Sequence, residues 1–289
     1  RSGRDGVSFF SHTMGLTLSG SPVEHHLDRP RVRLPSADAV FSALGDSVGL
    51  ALHESSAGRF RRLSEDLWGG LSNFADDLRS PTRRALLDAW LSKDPSGASP
   101  GVFTTSSRRF LNLEDAATAS GMTRDEIRPV IDEYLNQGIL RRGLALKCRQ
   151  CQLFEWYELD EVGQFFRCRR CREETTVTRA AWKGDFDEPA FYYDLVEVVY
   201  QALRGNVHVP VAALDSMRRE AHSFLHVPEI ETTSDDGDRL ELDIAAIVDG
   251  RIVLGEAKST DKLAGTKQKE LAWLKKLARV CELLTADEV

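Results

Sequence analysis

Apolar residues recur at two different periods along this chain, and the change of period marks its organisation. From Gly58 to Leu78, Phe60, Leu63, Leu67, Leu71, Phe74 and Leu78 keep a three-to-four spacing, which predicts an amphipathic helix that Gly69-Gly70 weakens. Pro81–Leu91 predicts a second helix, and SKDPSGASPG (Ser92–Gly101) a linker. Leu113–Ser120 predicts a short helix with a turn at Gly121-Met122. Thr123 and Glu126 then form a capping box opening a helix with Ile127, Val130, Ile131, Tyr134 and Leu135 on one face. Pro129 should kink that helix or move its start toward Arg128, and Gly138 should end it. Ile139–Lys147 reads as an extended wing. Asp187–Leu203 predicts a helix with Pro189 in its first turn and Phe191, Leu195, Val199 and Leu203 at every fourth position. Near the C-terminus the period drops to two. Ser223–Thr232 predicts a strand, Ser234–Asp238 a polar loop, and Arg239–Val248 with Arg251–Lys258 a strand pair. Leu271, Leu274, Leu277 or Ala278, Cys281 and Leu284 restore helical spacing over Thr266–Leu284.

The strand pair meets at Asp249-Gly250, the preferred sequence of a two-residue type I′ turn. Such a turn sets the register: Asp243 lies opposite Glu256, and Glu241 opposite Lys258. Side chains alternate faces along a strand, so all four point the same way. Cross-strand Cβ atoms lie about 5 Å apart, and two carboxylates held that close repel unless a cation sits between them. Oxygen ligands at that reach suit Mg²⁺. A surface hairpin with a solvated charge ladder is the competing reading. Against it, Leu240, Leu242, Ile244, Ala246 and Val248 occupy one face, and the charged face continues into Ala245, Ile247, Ile252 and Leu254. Strands apolar on both faces belong inside a sheet covered on both sides, where clustered acids and a lysine call for a functional reason.

The 289 residues suit two or three domains, and 42% apolar residues suffice for buried cores. No apolar run approaches the roughly 20 residues of a membrane span. There is no internal repeat, Walker loop or Gly-rich dinucleotide signature. Residues 1–57 carry no motif, and His12, His25, His26 and His53 have no metal-ligand context. Four of the five cysteines form Cys148-x2-Cys151 and Cys168-x2-Cys171, a spacing that fits a closed structural Zn²⁺ site. Disulfides are the alternative, though paired C-x2-C without a signal peptide points to a reducing, cytoplasmic compartment. Phe154–Tyr157 and Gln164–Arg167 would be strands of this ribbon. Cys281, on an apolar helix face, reads as a small buried hydrophobe.

Between Arg141 and Lys183, ten Lys/Arg face six acids, a local +4 in a chain of formal charge −7. With Trp156, Tyr157, Phe165 and Trp182 exposed beside them, these cations would suit phosphate contact and base stacking; a solvated Arg-rich surface is the other reading. The helix before the wing presents Arg124, Asp125, Glu126, Arg128, Asp132 and Glu133. Four acids make a poor major-groove reader, which favours a spacer or protein-contact role there.

LELDIAAIVDGRIVLGEAKS (Leu240–Ser259) resembles the core of the PD-(D/E)xK nuclease superfamily, with Asp243 as its first acid and Glu256-Ala257-Lys258 as its E-x-K. Leu242 stands where the family pattern has Pro. The resemblance implies a restriction-endonuclease-like fold and a Mg²⁺- or Mn²⁺-dependent endonuclease, held to the metal by Asp243, Glu256 and the Ala257 carbonyl, with Lys258 orienting or deprotonating the water. It makes the helix at Asp187–Leu203 the family's first core helix and Glu197 a candidate extra acid; an ordinary solvated helix position is the equal alternative for Glu197. It favours DNA over RNA and a prokaryotic restriction or anti-phage setting. Residues 110–147 resemble bacterial winged-helix domains. The expectation is therefore an α+β multidomain chain: an unassigned region at 1–57, a helical region at 58–98, a winged helix at 105–147, a four-cysteine zinc ribbon at 148–183, and a nuclease domain with a central mixed sheet at 185–289. With no initial Met, and no room for a strand after the last helix, the chain reads as a piece of something longer. The other functional reading is a DNA-binding or scaffolding subunit of a larger complex, docked through the N-terminal half, whose nuclease fold is inactive or switched on only there.

Overall fold

The Asp249-Gly250 turn closes a hairpin in the register that the sequence specifies, from Val248 paired with Arg251 to Ile244 paired with Gly255. Asp249 (φ 51°) and Gly250 (φ 81°) both take the positive φ of a type I′ turn. Asp249 Oδ1 also accepts from the main-chain N–H groups of His222 and Ser223, tying the tip to the strand that enters the sheet.

This computed structural model describes residues 2–3, 6–7, 36–91, 103–105, 108–184, 187–233, 239–259 and 266–288. The expected linker at 92–101, the polar loop at 234–238, and His12, His25 and His26 lie outside them. Two compact units divide at Pro35. In the first, β1 (Ser2–Gly3) pairs with β2 (Gly6–Val7). The second runs through α1 (Ala37–Ser47), β3 (Ala51–Glu54), α2 (Ser56–Leu67), α3 (Leu71–Arg79), α4 (Pro81–Leu91), β4 (Phe103–Thr105), β5 (Arg108–Phe110), α5 (Leu113–Ser120), α6 (Arg124–Asn136) and β6 (Leu140–Lys147). It continues with β7 (Phe154–Glu158), β8 (Phe165–Arg167), β9 (Glu174–Thr176), β10 (Phe191–Leu195), α7 (Glu197–Arg204), α8 (His208–Glu220), β11 (Phe224–Val227), β12 (Ile230–Thr233), β13 (Arg239–Leu242), β14 (Ile244–Val248), β15 (Arg251–Gly255) and α9 (Lys267–Leu283). The fold is mixed α+β, built on several small sheets.

Several elements differ from the sequence expectation, each for a local reason. The single helix expected over Gly58–Leu78 is two, because Gly69 (φ 73°) and Gly70 (φ 123°) turn the chain between α2 and α3. The helix expected over Asp187–Leu203 begins only at Glu197. Phe191–Leu195 is a strand paired with β6, where its aromatic side chains suit a pleated surface and Tyr192, Tyr193 and Leu195 are buried. The strand expected over Ser223–Thr232 breaks at Pro228, which has no N–H for the ladder. The strand expected over Arg239–Val248 breaks at Asp243. β13 leaves the hairpin to pair with β12, while β14 pairs with β11 and β15. The β15 ladder ends at Gly255, short of Lys258. α6 opens on the expected Thr123/Glu126 capping box and runs through Pro129 to Asn136.

These breaks produce two three-stranded antiparallel sheets, β11-β14-β15 and β13-β12-β3, in place of one central mixed sheet. The only parallel neighbour among the described residues is Glu288, bridged to Val253 after α9. β3 pairs with β12, so residues of the region left unassigned at 1–57 share a sheet with the C-terminal segment. Both faces of the hairpin are covered, as its apolar pattern requires. Ile244 and Ala246 face a core built with α3 to α8, whereas Ala245 and Leu254 face a second core containing Phe41 of α1 and Leu277, Val280 and Cys281 of α9. β6, in the segment expected as a wing, lies between β10 and β7. β7 and β8, expected as strands of one ribbon, do not pair with each other: β7 extends the β6 sheet, and β8 pairs with β9.

Candidate functional site

The two strand breaks fall at one level. β11 pairs with β14, and β12 with β13, in one continuing register, so the residues at the breaks, Glu229 and Asp243, face each other. Extending the hairpin ladder by one step sets Glu256 on the other side of Asp243, and extending β12–β3 sets Ser55 beside Glu229. Ser55, Glu229, Asp243 and Glu256 therefore form a row across four adjacent strands. At the breaks, main-chain and side-chain bonds both hold the row. Ser55 donates from N–H to the Glu229 carbonyl (3.2 Å) and from its hydroxyl to Glu229 Oε1 (2.6 Å). The Ala257 N–H donates to Asp243 Oδ2 (2.9 Å). Arg61 of α2 donates to the Asp243 carbonyl (2.9 Å).

A cleft of about 280 Å³ opens at Glu229 and Asp243, lined also by Arg61, Glu241, Ala257 and Lys258 and by Gly205–Val207 between α7 and α8. Of the residues expected from sequence, Asp243, Ala257 and Lys258 line it. Glu241 joins them on the face predicted, although β13 has left the hairpin and Glu241 is paired across β12 with Glu231. Glu256 is not among the residues lining the cleft. Its side chain is only 8% exposed; Lys258 pairs with Oε1, and Oε2 is buried with no hydrogen-bond partner. Burial pushes the Glu256 carboxyl above the usual range against the Lys258 contact, and the Asp243 and Glu241 charges add to the push. Burial raises Glu229 in the same way, opposed by Ser55 and reinforced by Asp243 and Glu241. Lys258 is held above the ordinary lysine value despite its own desolvation, by Glu256, Asp243 and Glu241.

Glu197 is not brought to the cleft. It is paired with Arg108 and accepts from Gln201 Nε2 (2.7 Å), and of this group only Gln201 reaches the lining. Three residues of the site were missed from sequence: Ser55, Arg61 and Glu229. Arg61 and Asp243 are 182 residues apart, so no local signal connected them.

Cys148, Cys151, Cys168 and Cys171 bring their sulfurs within 4.8 Å of one another, and among the described residues they are the one group gathered at metal-ligand distance. The cleft carboxylates face one opening but turn to separate partners. All four cysteines are free thiols. Cys148 Sγ lies 3.5 Å from Cys171 Sγ, and Cys151 Sγ 3.7 Å from Cys168 Sγ; tetrahedral thiolates about 2.3 Å from zinc would be about 3.8 Å apart. Each pair sits in a tight turn closed by Gln152 N–H to the Cys148 carbonyl and Arg172 N–H to the Cys168 carbonyl, both 2.9 Å, with Gln152 and Arg172 at positive φ. Four close cysteines in this setting can hold a metal such as zinc.

The ribbon is less available to a polyanion than its composition suggests. Arg149, Arg169 and Arg170 pair with Glu173, Glu161 and Glu155, and Arg141 pairs with Glu158 and Asp194. Trp156 and Tyr157, expected to be exposed, are buried in the β6–β7 sheet, stacked on Phe110 and tilted against Phe166; Trp182 is half-buried and Phe165 exposed. No helix among the described residues is long and apolar enough to cross a membrane. Compared with known proteins, the chain matches no family model, no curated protein and no solved structure.

Proposed function

We propose that this chain is a divalent-cation-dependent nuclease that hydrolyses phosphodiesters, DNA in preference to RNA, in the cleft at the broken strands. One observation carries the reading: Asp243, which accepts from the Ala257 N–H, lines the cleft together with Lys258, and one oxygen of the neighbouring, buried Glu256 has no partner. A buried carboxylate oxygen left unsatisfied is costly, and a cation is the partner that a row of mutually repelling acids lacks. The donor set fits Mg²⁺ or Mn²⁺: Asp243, Glu256 and the Ala257 carbonyl would hold it. Such an ion, when bound, supplies charge neutralisation at the phosphate and an acidified water. The chain's own groups do the rest. Lys258, which pairs with Glu256 at the cleft, would orient a water or stabilise the oxyanion at phosphorus. Gly205–Val207 and Gln201 also line the opening, where a backbone phosphate would enter. A structural Zn²⁺ on Cys148, Cys151, Cys168 and Cys171 would hold the ribbon against the β6 sheet, and a prokaryotic restriction or anti-phage system is the setting that the PD-(D/E)xK resemblance suggests.

The test is incubation of the full-length protein with plasmid, linear and single-stranded DNA and with RNA, in Mg²⁺, Mn²⁺ or EDTA. DNA cleavage that needs the cation and stops in EDTA is the expected result. Folded, zinc-loaded protein that cuts none of these substrates with either ion would favour the scaffolding role.

A further inference from the structure

The helix α2 contributes no residue to the expected catalytic pattern, yet one of its faces is built against the cleft. Arg61 is 2% exposed, an uncommon depth for a guanidinium, and every direction of its fork is used. It donates to the Asp243 carbonyl at 2.9 Å, to the Val227 carbonyl at 3.3 Å, and to Glu65 Oε1 at 3.2 Å. Glu65 in turn meets His226 Nε2 at 2.9 Å through its other oxygen. Val227 is the last residue of β11, and Asp243 is the residue between β13 and β14. One planar cation therefore spans both breaks and is itself braced by β11 through Glu65 and His226.

We infer that Arg61 is a positioning residue for the site: it fixes the main chain of Asp243 at the strand break and so sets where the Asp243 carboxylate projects into the cleft. The assignment rests on the nuclease reading for the purpose of the position, since Asp243 is the residue placed. Two features separate it from a general core contact. Its bond is to the carbonyl of Asp243, the residue between β13 and β14, and its charge acts on Glu229 and Asp243 as well as on its partner Glu65. A lysine could supply the charge but not three divergent donors in one plane.

The experiment measures Mn²⁺ affinity by titration calorimetry for the full chain and for Arg61→Lys, Asp243→Asn and the double variant, with circular dichroism and zinc content confirming each fold. Arg61→Lys should weaken Mn²⁺ binding about tenfold and lower kcat with little change in KM. It should add no further loss in the Asp243→Asn background, because both changes act through one carboxylate. Wild-type affinity in a folded Arg61→Lys protein, or losses that simply add in the double variant, overturns the inference and leaves the nuclease reading standing. Wild-type protein that binds no Mn²⁺ at the cleft overturns both. Should Arg61→Lys not fold, Glu65→Gln keeps the guanidinium and loosens its brace. A several-fold loss of affinity is then expected, and unchanged affinity overturns the inference.

Discussion

Gly58→Ala is the sharpest probe of how α2 meets the site. Gly58 is the third residue of α2, and its N–H donates to the Ser55 hydroxyl at 2.9 Å. In an isolated helix, replacing glycine with alanine stabilises by about 1 kcal/mol. Here the added Cβ would lie 2.2 Å from the Glu229 carbonyl oxygen and 3.1 Å from its carbon. An ordinary C···O contact is about 3.3 Å, so the helix and the Glu229 turn must separate by about 1 Å. Both partners are main chain, and neither can rotate away. Overpacking of this kind costs about 1–3 kcal/mol, and weakening the Ser55 bond to the Glu229 carboxylate adds about 1.5 kcal/mol or more. Net destabilisation should be about 2–3 kcal/mol after the helix gain. Urea unfolding followed by tryptophan fluorescence measures it, with Gly163→Ala as control, since nothing lies within 4 Å of a Cβ there and its change should stay within about 0.5 kcal/mol. Gly58→Ala protein as stable as wild type, or more stable, would refute the close approach of α2 to Glu229 and with it the placement of Ser55 and Arg61.

Three further outcomes follow from the site. Elemental analysis should find about one zinc per chain, and Cys168→Ser should lose it along with hydrogen-exchange protection of β8 and β9, leaving the β14–β15 hairpin protected; full protection in metal-free protein contradicts this. Glu256 has a folded-state pKa above its unfolded one, so the folded state holds the proton more tightly and stability falls as pH rises through that window. Glu256→Gln removes the cost: in cation-free buffer its Tm should exceed wild type at pH 7, with the gain gone below about pH 4, and a variant no more stable at pH 7 argues against the strained carboxylate. Asp243→Ala should weaken Mn²⁺ affinity at least tenfold in calorimetry, whereas Lys258→Ala, which removes only a neighbouring cation, should leave affinity unchanged or raised; equal losses would mean that Lys258 holds the fold of the cleft.

What could be read from sequence was what local geometry determines. The hairpin register was legible because a two-residue turn leaves one way to pair the strands, and the cysteine spacing because each knuckle is four residues long. The capping box at Thr123 and Glu126 is equally local. The contacts of Asp243 with Arg61 and Glu229 were not legible, because they rest on the packing of α2 and on a β3–β12 pairing that joins residues far apart in sequence. Phe191–Leu195 misled for a different reason: its four-residue apolar spacing spans a strand-to-helix junction, and pairing with β6 decided the state. The same tertiary pairing buried Trp156 and Tyr157, which composition alone had placed on a binding surface.

Phosphodiester cleavage in the Asp243–Lys258 cleft is tested most directly by measuring Mg²⁺-dependent cleavage of DNA by full-length wild-type and Lys258→Ala proteins, purified in parallel and matched for zinc content and fold. Wild type should give cation-dependent product, and Lys258→Ala at least a hundredfold less. Cleavage by Lys258→Ala at the wild-type rate, in a preparation free of contaminating nuclease, would contradict a catalytic role for this cleft.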